Sequence, residues 1–286
     1  ATSERIRGLA STALGNQASA GRAQQPGGPA GARAQDLGSG SEGRRIRNDE
    51  LVAKEAETAR DQLTPEEQER IRLKSSARAF INIFKMMPSS KEMAAIAWAG
   101  KAKRGWYRSA AFALPHVFGD DAPRFAALLA ATSPQTSVED NLKASLQIWV
   151  LWVKAGRPQS FKKIEEIAWK GSEGTSIVTS TDKNNIIRAL THPNPAEMLI
   201  SGPKVSSFHR NLMGNVVEVT NDAWMAKFGD VDAALFGGYT TPLSQLIVTN
   251  EGKMYGYLAM TAHVRQAAKI LTKLTGETWT PAEVQE

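Results

Sequence analysis

The residues best suited to do chemistry lie in one stretch, Ile200 to Trp224, which reads ISGPKVSSFHRNLMGNVVEVTNDAW. A Ser201-Gly202-Pro203 turn leads into a short amphipathic helix predicted from Lys204 to Leu212. That helix breaks at Gly214-Asn215, and Asp222 follows just ahead of an aromatic segment. A glycine turn feeding a helix start aims unpaired backbone N–H groups outward, and with the helix dipole they make a site for a phosphate. Pro203 suits the first helical position because it has no N–H to leave unpaired. Lys204 does not suit the first turn, where a cation opposes the positive end of the dipole, and the mismatch points to a functional lysine.

Gly202-Pro203-Lys204-Val205 followed at this interval by Asp222 resembles the helix-hairpin-helix DNA glycosylases, the superfamily of endonuclease III and 8-oxoguanine glycosylase. A second stretch, Ala130 to Asn141 (AATSPQTSVEDN), is similar to that superfamily's other signature, a helix end reading Leu-Ser-x-Gln-Thr. The resemblance covers roughly residues 90 to 230. Ile200 occupies the place of the hairpin's usual first glycine, and Trp224 stands where a His is common. The four-Cys iron–sulfur cluster of endonuclease III has no ligands in a chain without cysteine.

The resemblance implies roles. Lys204 would attack the sugar C1′ to give a Schiff base and then strand cleavage, and Asp222 would stabilise the cationic sugar or steer the amine. Gln135 would be the wedge that fills the gap left by a flipped nucleotide. Ser201 and Gly202 would hold a phosphate through their amides, with His209 and Arg210 on the following helix as further DNA contacts. Plainer readings stand beside these: Gln135 as a cap for the next helix, and Asp222 as the N-cap of a helix from Ala223.

The elements that must position these residues are helices. Thr64-Pro65-Glu66-Glu67 combines a cap, a first-turn proline and a box acid, and predicts a helix running to Met87 before Pro88. A second helix is predicted from Lys91 to Leu114. It carries KAKRGWYR, where Lys101, Lys103, Arg104 and Arg108 interleave with Trp106 and Tyr107. Those cations could hold a strand while the rings stack on bases; the alternative is a solvated face with two core aromatics. Asp120 to Ala131 predicts a buried helix, and Val138 to Ala155 another, with apolar residues at helical spacing. Short helices are expected at Phe161 to Lys170, Thr181 to Leu190, Ala196 to Ile200 and Trp224 to Phe228, and a long one at Lys253 to Thr275. Val216 to Val219 is the single strand-like run, and Gly237 to Pro242 a loop.

Composition narrows the options further. The 286 residues include no Cys and four His, His116, His192, His209 and His263, without metal-ligand spacing. Disulfides, thiolate catalysis and cysteine metal sites are therefore excluded, and neither a cofactor nor a metal is expected. The net charge of +6 favours a polyanionic partner, with DNA the commonest. No apolar run reaches membrane-spanning length, and no signal peptide heads the chain, so no membrane partner is expected. The chain starts at Ala1 and ends at Glu286 just after a helix start, TPAEVQ, with Thr280 as cap and Glu283 as box acid. That pattern fits a piece of a longer or processed polypeptide.

The expected fold is all-α: a flexible, Gly-, Ala- and Arg-rich arm over residues 1–60 and a helix-hairpin-helix glycosylase-like domain over residues 61–286. The arm's arginines, Arg5, Arg7, Arg22, Arg33, Arg44, Arg45 and Arg47, either touch nucleic acid or keep the chain soluble. Two functions remain in view. One is a glycosylase, with or without lyase activity, acting on bases in cellular or phage DNA, including the hypermodified thymine taken by a phage branch of the superfamily. The other is a catalytically inactive DNA-binding or virion-associated protein that keeps the scaffold. The expected place is the cytoplasm of a bacterial host, or a phage particle.

Overall fold

The structure, a computed structural model, describes residues 54, 57–71, 74–134, 136–175, 179–196, 203–236 and 255–286. Among these the chain is helical throughout, with no strand. The described residues form two compact units, one comprising those up to Ala102 with Asn221–Thr280, the other Lys103–Thr220 with Pro281–Glu286. The arm arginines, Gln135, Ser201, Gly202, the predicted helix before the hairpin turn (197–200) and the loop over 237–242 lie outside the described residues.

The first unit contains α1 (Pro65–Arg70), α2 (Lys74–Met86), α3 (Ser90–Ala99), α10 (Ala223–Phe228) and α11 (Tyr255–Thr275). The capping box at Thr64 forms as its sequence implies: the Glu67 carboxylate accepts from Thr64 N at 2.7 Å, and the Thr64 hydroxyl from Glu67 N at 3.3 Å. The helix it opens stops at Ile71, whose non-helical φ/ψ ends α1, so the single helix expected to Met87 is divided. Arg265 also takes the Glu67 carboxylate, at 2.6 Å, which ties α1 to α11. Helix α11 packs on α2 and α3, burying Phe80, Phe84, Met93, Leu258 and Val264. It also closes on the 3-10 turn Ala233–Phe236, where a Cβ at Gly256 would lie 2.6 Å from Leu235 Cβ. Only glycine allows that approach.

The second unit contains α4 (Trp106–Phe118), α5 (Ala122–Ala131), α6 (Val138–Lys154), α7 (Phe161–Gly171), α8 (Thr179–Thr191), α9 (Pro203–Leu212) and α12 (Pro281–Gln285). Helix α5 is its centre, contacted by α4, α6, α8 and α9 and buried from Phe125 to Ala131. Its alanines permit this, since a small residue on every face lets four neighbours come close. Phe118 and Phe125 stack with ring centres 3.8 Å apart, and Trp149 meets both edge-on. Arg124 reaches the end of α8 and donates to Leu190 O at 2.9 Å.

Two expectations are corrected here. The helix foreseen from Lys91 to Leu114 is two helices, α3 and α4, separated by a 3-10 turn at Lys101–Lys103 and by Gly105 at φ +95°. Glycines at 100 and 105 end and restart the helix, and α4 then runs through Pro115 to Phe118. The run Val216 to Val219 is not a strand. No neighbouring strand among the described residues offers it a ladder, and Asn211 and Arg210 bind it instead.

Candidate functional site

Pro203 begins α9, as its missing N–H predicts, and Lys204 follows, half-buried. The Lys204 ammonium donates to Ser133 O at 2.9 Å and to Ser133 Oγ at 2.8 Å. It also lies 5.7 Å from the centre of the Phe208 ring, one turn further along α9. Ser133 opens the Ser-Pro-Gln-Thr turn after α5, so the two stretches singled out in the sequence meet in space, 71 positions apart in the chain. Ser133 was not foreseen as a partner; its one sequence signal was a hydroxyl at the head of that turn.

The turn is held from beneath. The Thr132 hydroxyl lies 2.6 Å from Asn141 Oδ1 and 2.7 Å from Ser145 Oγ, all three buried. Ser133 Oγ donates to Ala130 O at 2.9 Å, which leaves its lone pairs to Lys204. On the far side, Thr136 Oγ1 donates to Pro134 O at 2.9 Å. Ser137, not Gln135, is the N-cap of α6, its hydroxyl accepting from Asp140 N at 3.1 Å. The capping role considered for Gln135 is thus filled by another residue.

The basic cluster is distributed unevenly. Arg104 and Arg108 both bond the Glu283 carboxylate, at 3.1 Å and 2.8 Å, and Glu283 is buried. The Glu286 carboxylate caps α4, accepting from the amides of Gly105, Trp106 (3.0 Å) and Tyr107 (2.8 Å). Tyr107 is buried, and its hydroxyl donates to Gln285 at 2.8 Å. Trp106 is exposed and stacks nearly parallel on Phe208 at 6.2 Å. The helix therefore has one aromatic in the interior and one at the surface, a mixture of the two readings of KAKRGWYR. Lys103 is exposed, and Lys101, in the first unit, sits 3.9 Å over the Trp98 ring.

His209 is buried. Desolvation drives its pKa from 6.5 down to about 4, against a hydrogen bond with the Pro123 backbone that raises it, so it is neutral at neutral pH. Arg210 is half-exposed and pairs with Glu218 at 2.7 Å, while Ser207 Oγ donates to the other Glu218 oxygen at 3.1 Å. Asp222 belongs to the first unit and is the N-cap of α10, with Oδ1 accepting from Trp224 N at 2.9 Å and Met225 N at 3.0 Å. Both cap bonds use Oδ1, so capping does not require Oδ2. The preceding residue, Asn221, is buried and anchored to Tyr257 O and to Thr261 on α11, which fixes the position of the carboxylate.

Among the described residues no group of three or more acidic or histidine side chains could hold a metal ion, and no helix is long and apolar enough to cross a membrane. A cleft of about 380 Å³ between α4, α5 and α9 is lined by Ala111, Leu114, Pro115, Asp120, Pro123 and Met213. It does not include Lys204. No curated protein and no solved structure shows significant similarity to the chain. Residues 64–234 do match a family profile, and the chain belongs to that family of unknown function, DUF7178.

Proposed function

We propose that this protein is a helix-hairpin-helix glycosylase-like DNA-binding protein, with Lys204 as its reactive amine. One observation carries the reading: Lys204, at the start of α9, is bonded to the first residue of the Ser-Pro-Gln-Thr turn, so the nucleophile and the base-extruding loop are adjacent. In the reaction this implies, Lys204 gives up a proton and its lone pair forms a bond to C1′. The glycosidic bond breaks, and the base leaves with that bond's electron pair and takes up a proton. The aminal so formed opens as its C1′–O4′ bond breaks and the ring oxygen takes up a proton, and the resulting iminium loses a C2′ proton and expels the 3′ phosphate by elimination. The resemblance assigns Asp222 the stabilisation of the cationic sugar, and its two capping bonds fix the carboxylate within its own unit. The working location is the interior of a bacterial host or a phage particle.

The second reading is a DNA-binding or virion-associated protein without chemistry. It is favoured by the same contact, since an ammonium held by two oxygens of one residue is also what a structural clamp requires. Borohydride reduction in the presence of oligonucleotides carrying uracil, oxidised, alkylated or hypermodified bases separates the two. A covalent adduct that disappears in Lys204→Gln supports the enzyme, and no adduct on any of them supports the clamp.

A further inference from the structure

Helix α6 is apolar on two sides. Its inner face, Ala144, Ile148, Trp149 and Trp152, packs in the core. A second stripe, Val138, Leu142, Leu146, Val150 and Val153, points outward with between 39% and 73% of each residue exposed. A soluble helix needs only one such face, and a continuous exposed stripe marks a contact surface. Among the described residues nothing covers it.

The stripe identifies its own partner. Leu146 is at its centre, with Leu142 and Val150 one turn away on either side and Val138 and Lys154 at the ends. Exposed charges follow the same plan, with Glu139 in the first turn and Lys154 in the last, on the same flank of the stripe. In a two-fold pair of antiparallel helices, residues on one flank meet the same flank of the partner in reverse order. A second α6 laid antiparallel with its Leu146 on this Leu146 therefore matches leucine to leucine and Leu142 to Val150, twice over, and brings Glu139 within one residue of the lysine at the other end, which stands opposite Val138. In a parallel pair opposite flanks meet at equal height, so the two ends of the helices stay apart and Glu139 does not come near a lysine at the other end. The two helix dipoles also run in opposite senses in this arrangement, which favours it.

We infer that the α6 stripe is a self-association surface through which two copies of this chain pair antiparallel, centred on Leu146. One stripe per copy is a small interface, so the dimer is in exchange with monomer at micromolar concentrations. Its residues are partly exposed, and polar substitutions there leave the core of the unit intact.

The test uses the full chain and sedimentation velocity over a range of concentrations. The wild type should form a dimer, and Leu146→Glu should raise the dissociation constant at least about tenfold with an unchanged circular dichroism spectrum. Glu139→Lys or Lys154→Glu alone should raise it about fivefold, and the double variant should restore it, because the ion pair is only reversed. The chain has no cysteine, so Leu146→Cys and Val138→Cys give single-thiol probes. Mild oxidation should cross-link the first and not the second. A wild type that stays monomeric at every concentration, a dimer indifferent to Leu146→Glu, a double charge swap without rescue, or equal cross-linking at both positions would each overturn the inference. The first outcome would also be expected if the chain's own arm covered the stripe.

Discussion

The carboxylate of Glu286 and the backbone of Tyr107 meet 179 positions apart, with Tyr107 N donating to Oε1 at 2.8 Å. With Glu283 beneath Arg104 and Arg108, this fastens α12 to the start of α4 by charge. The Glu283 side chain is 3% exposed, and removing its carboxylate takes one acceptor from each of two guanidiniums. Glu283→Ala should lower stability by about 1–3 kcal/mol, less than for a fully buried pair because Arg108 is largely in solvent. Glu286→Gln, which keeps the shape and loses the charge at a helix start, should cost at most about 1 kcal/mol. Urea midpoints measured side by side give both numbers, and equal costs would mean that charge is not what fastens the helix.

The same ion pairs bear on DNA binding. With Arg108 spent on Glu283, the salt dependence of DNA affinity should reflect the remaining cations, and Glu283→Gln should steepen its slope by up to about one unit as Arg108 becomes available. Filter-binding or anisotropy titrations at several salt concentrations would show it. An unchanged slope places the DNA surface away from α4.

Ser133 offers a graded test of the catalytic reading. Ser133→Ala removes the hydroxyl acceptor of Lys204 and keeps the carbonyl. Adduct formation with a reactive oligonucleotide should slow by about tenfold in Ser133→Ala and vanish in Lys204→Gln. Asp222→Asn should slow base release while the melting temperature holds, since Asn is also a good N-cap. Normal rates in both Ser133→Ala and Asp222→Asn would remove these residues from the site.

Acid should weaken the protein through two histidines. His263 is buried, stacked on Phe84 at 3.5 Å, donating from Nε2 to Phe84 O and accepting from the Ser90 hydroxyl at Nδ1. Burial pushes its pKa down to about 4, as for His209. The unfolded chain binds a proton near pH 6.5 and the folded chain only near 4. Each histidine's contribution is therefore complete above pH 6.5 and lost as the pH falls toward 4, by up to about 3 kcal/mol. His263→Asn should be less stable at pH 7.5 and should show about half the wild-type decline between pH 6.5 and 4. An undiminished decline would assign the acid sensitivity elsewhere.

Steric contact at Gly256 sets the last expectation. An alanine there gains helix propensity of about 1 kcal/mol, but its Cβ meets Leu235 Cβ at 2.6 Å and Leu235 O at 2.8 Å. Backbone must move, so Gly256→Ala should destabilise by about 1–3 kcal/mol overall in a thermal melt. A rise in melting temperature would show that the 233–236 turn yields easily.

What the sequence made legible was local. The Thr64 box, the apolar run Phe125–Ala131 of α5, the period of α6 and the Asp222 cap each depend on residues close to one another in the chain, and the structure has all four. The capping box at Ser89 is equally local: Ser89 and Glu92 cap α3, which begins at Ser90, one position before the start expected at Lys91. Partnerships across the chain left no such trace. Nothing at Lys204 announces Ser133, and nothing at Arg108 announces Glu283, because each contact is set by how helices stack on α5 or close on α4. Tyr107 and Trp106 are adjacent and chemically alike, yet only the packing of Phe208 and Gln285 decides which of the two faces water.

Asn211, fully buried on α9, has a bearing on how this family can vary. Its amide nitrogen donates to the carbonyls of Asn215 and Glu218, and its oxygen accepts from the Thr220 hydroxyl. Two of those three partners are main-chain atoms that every amino acid possesses. The loop from 213 to 220 is thus held at three points by one side chain outside it, none of them at Val217, 58% exposed, whose side chain can vary without loss of those bonds. Asn211 itself has no comparable freedom, because no other residue supplies both two donors and an acceptor within its length.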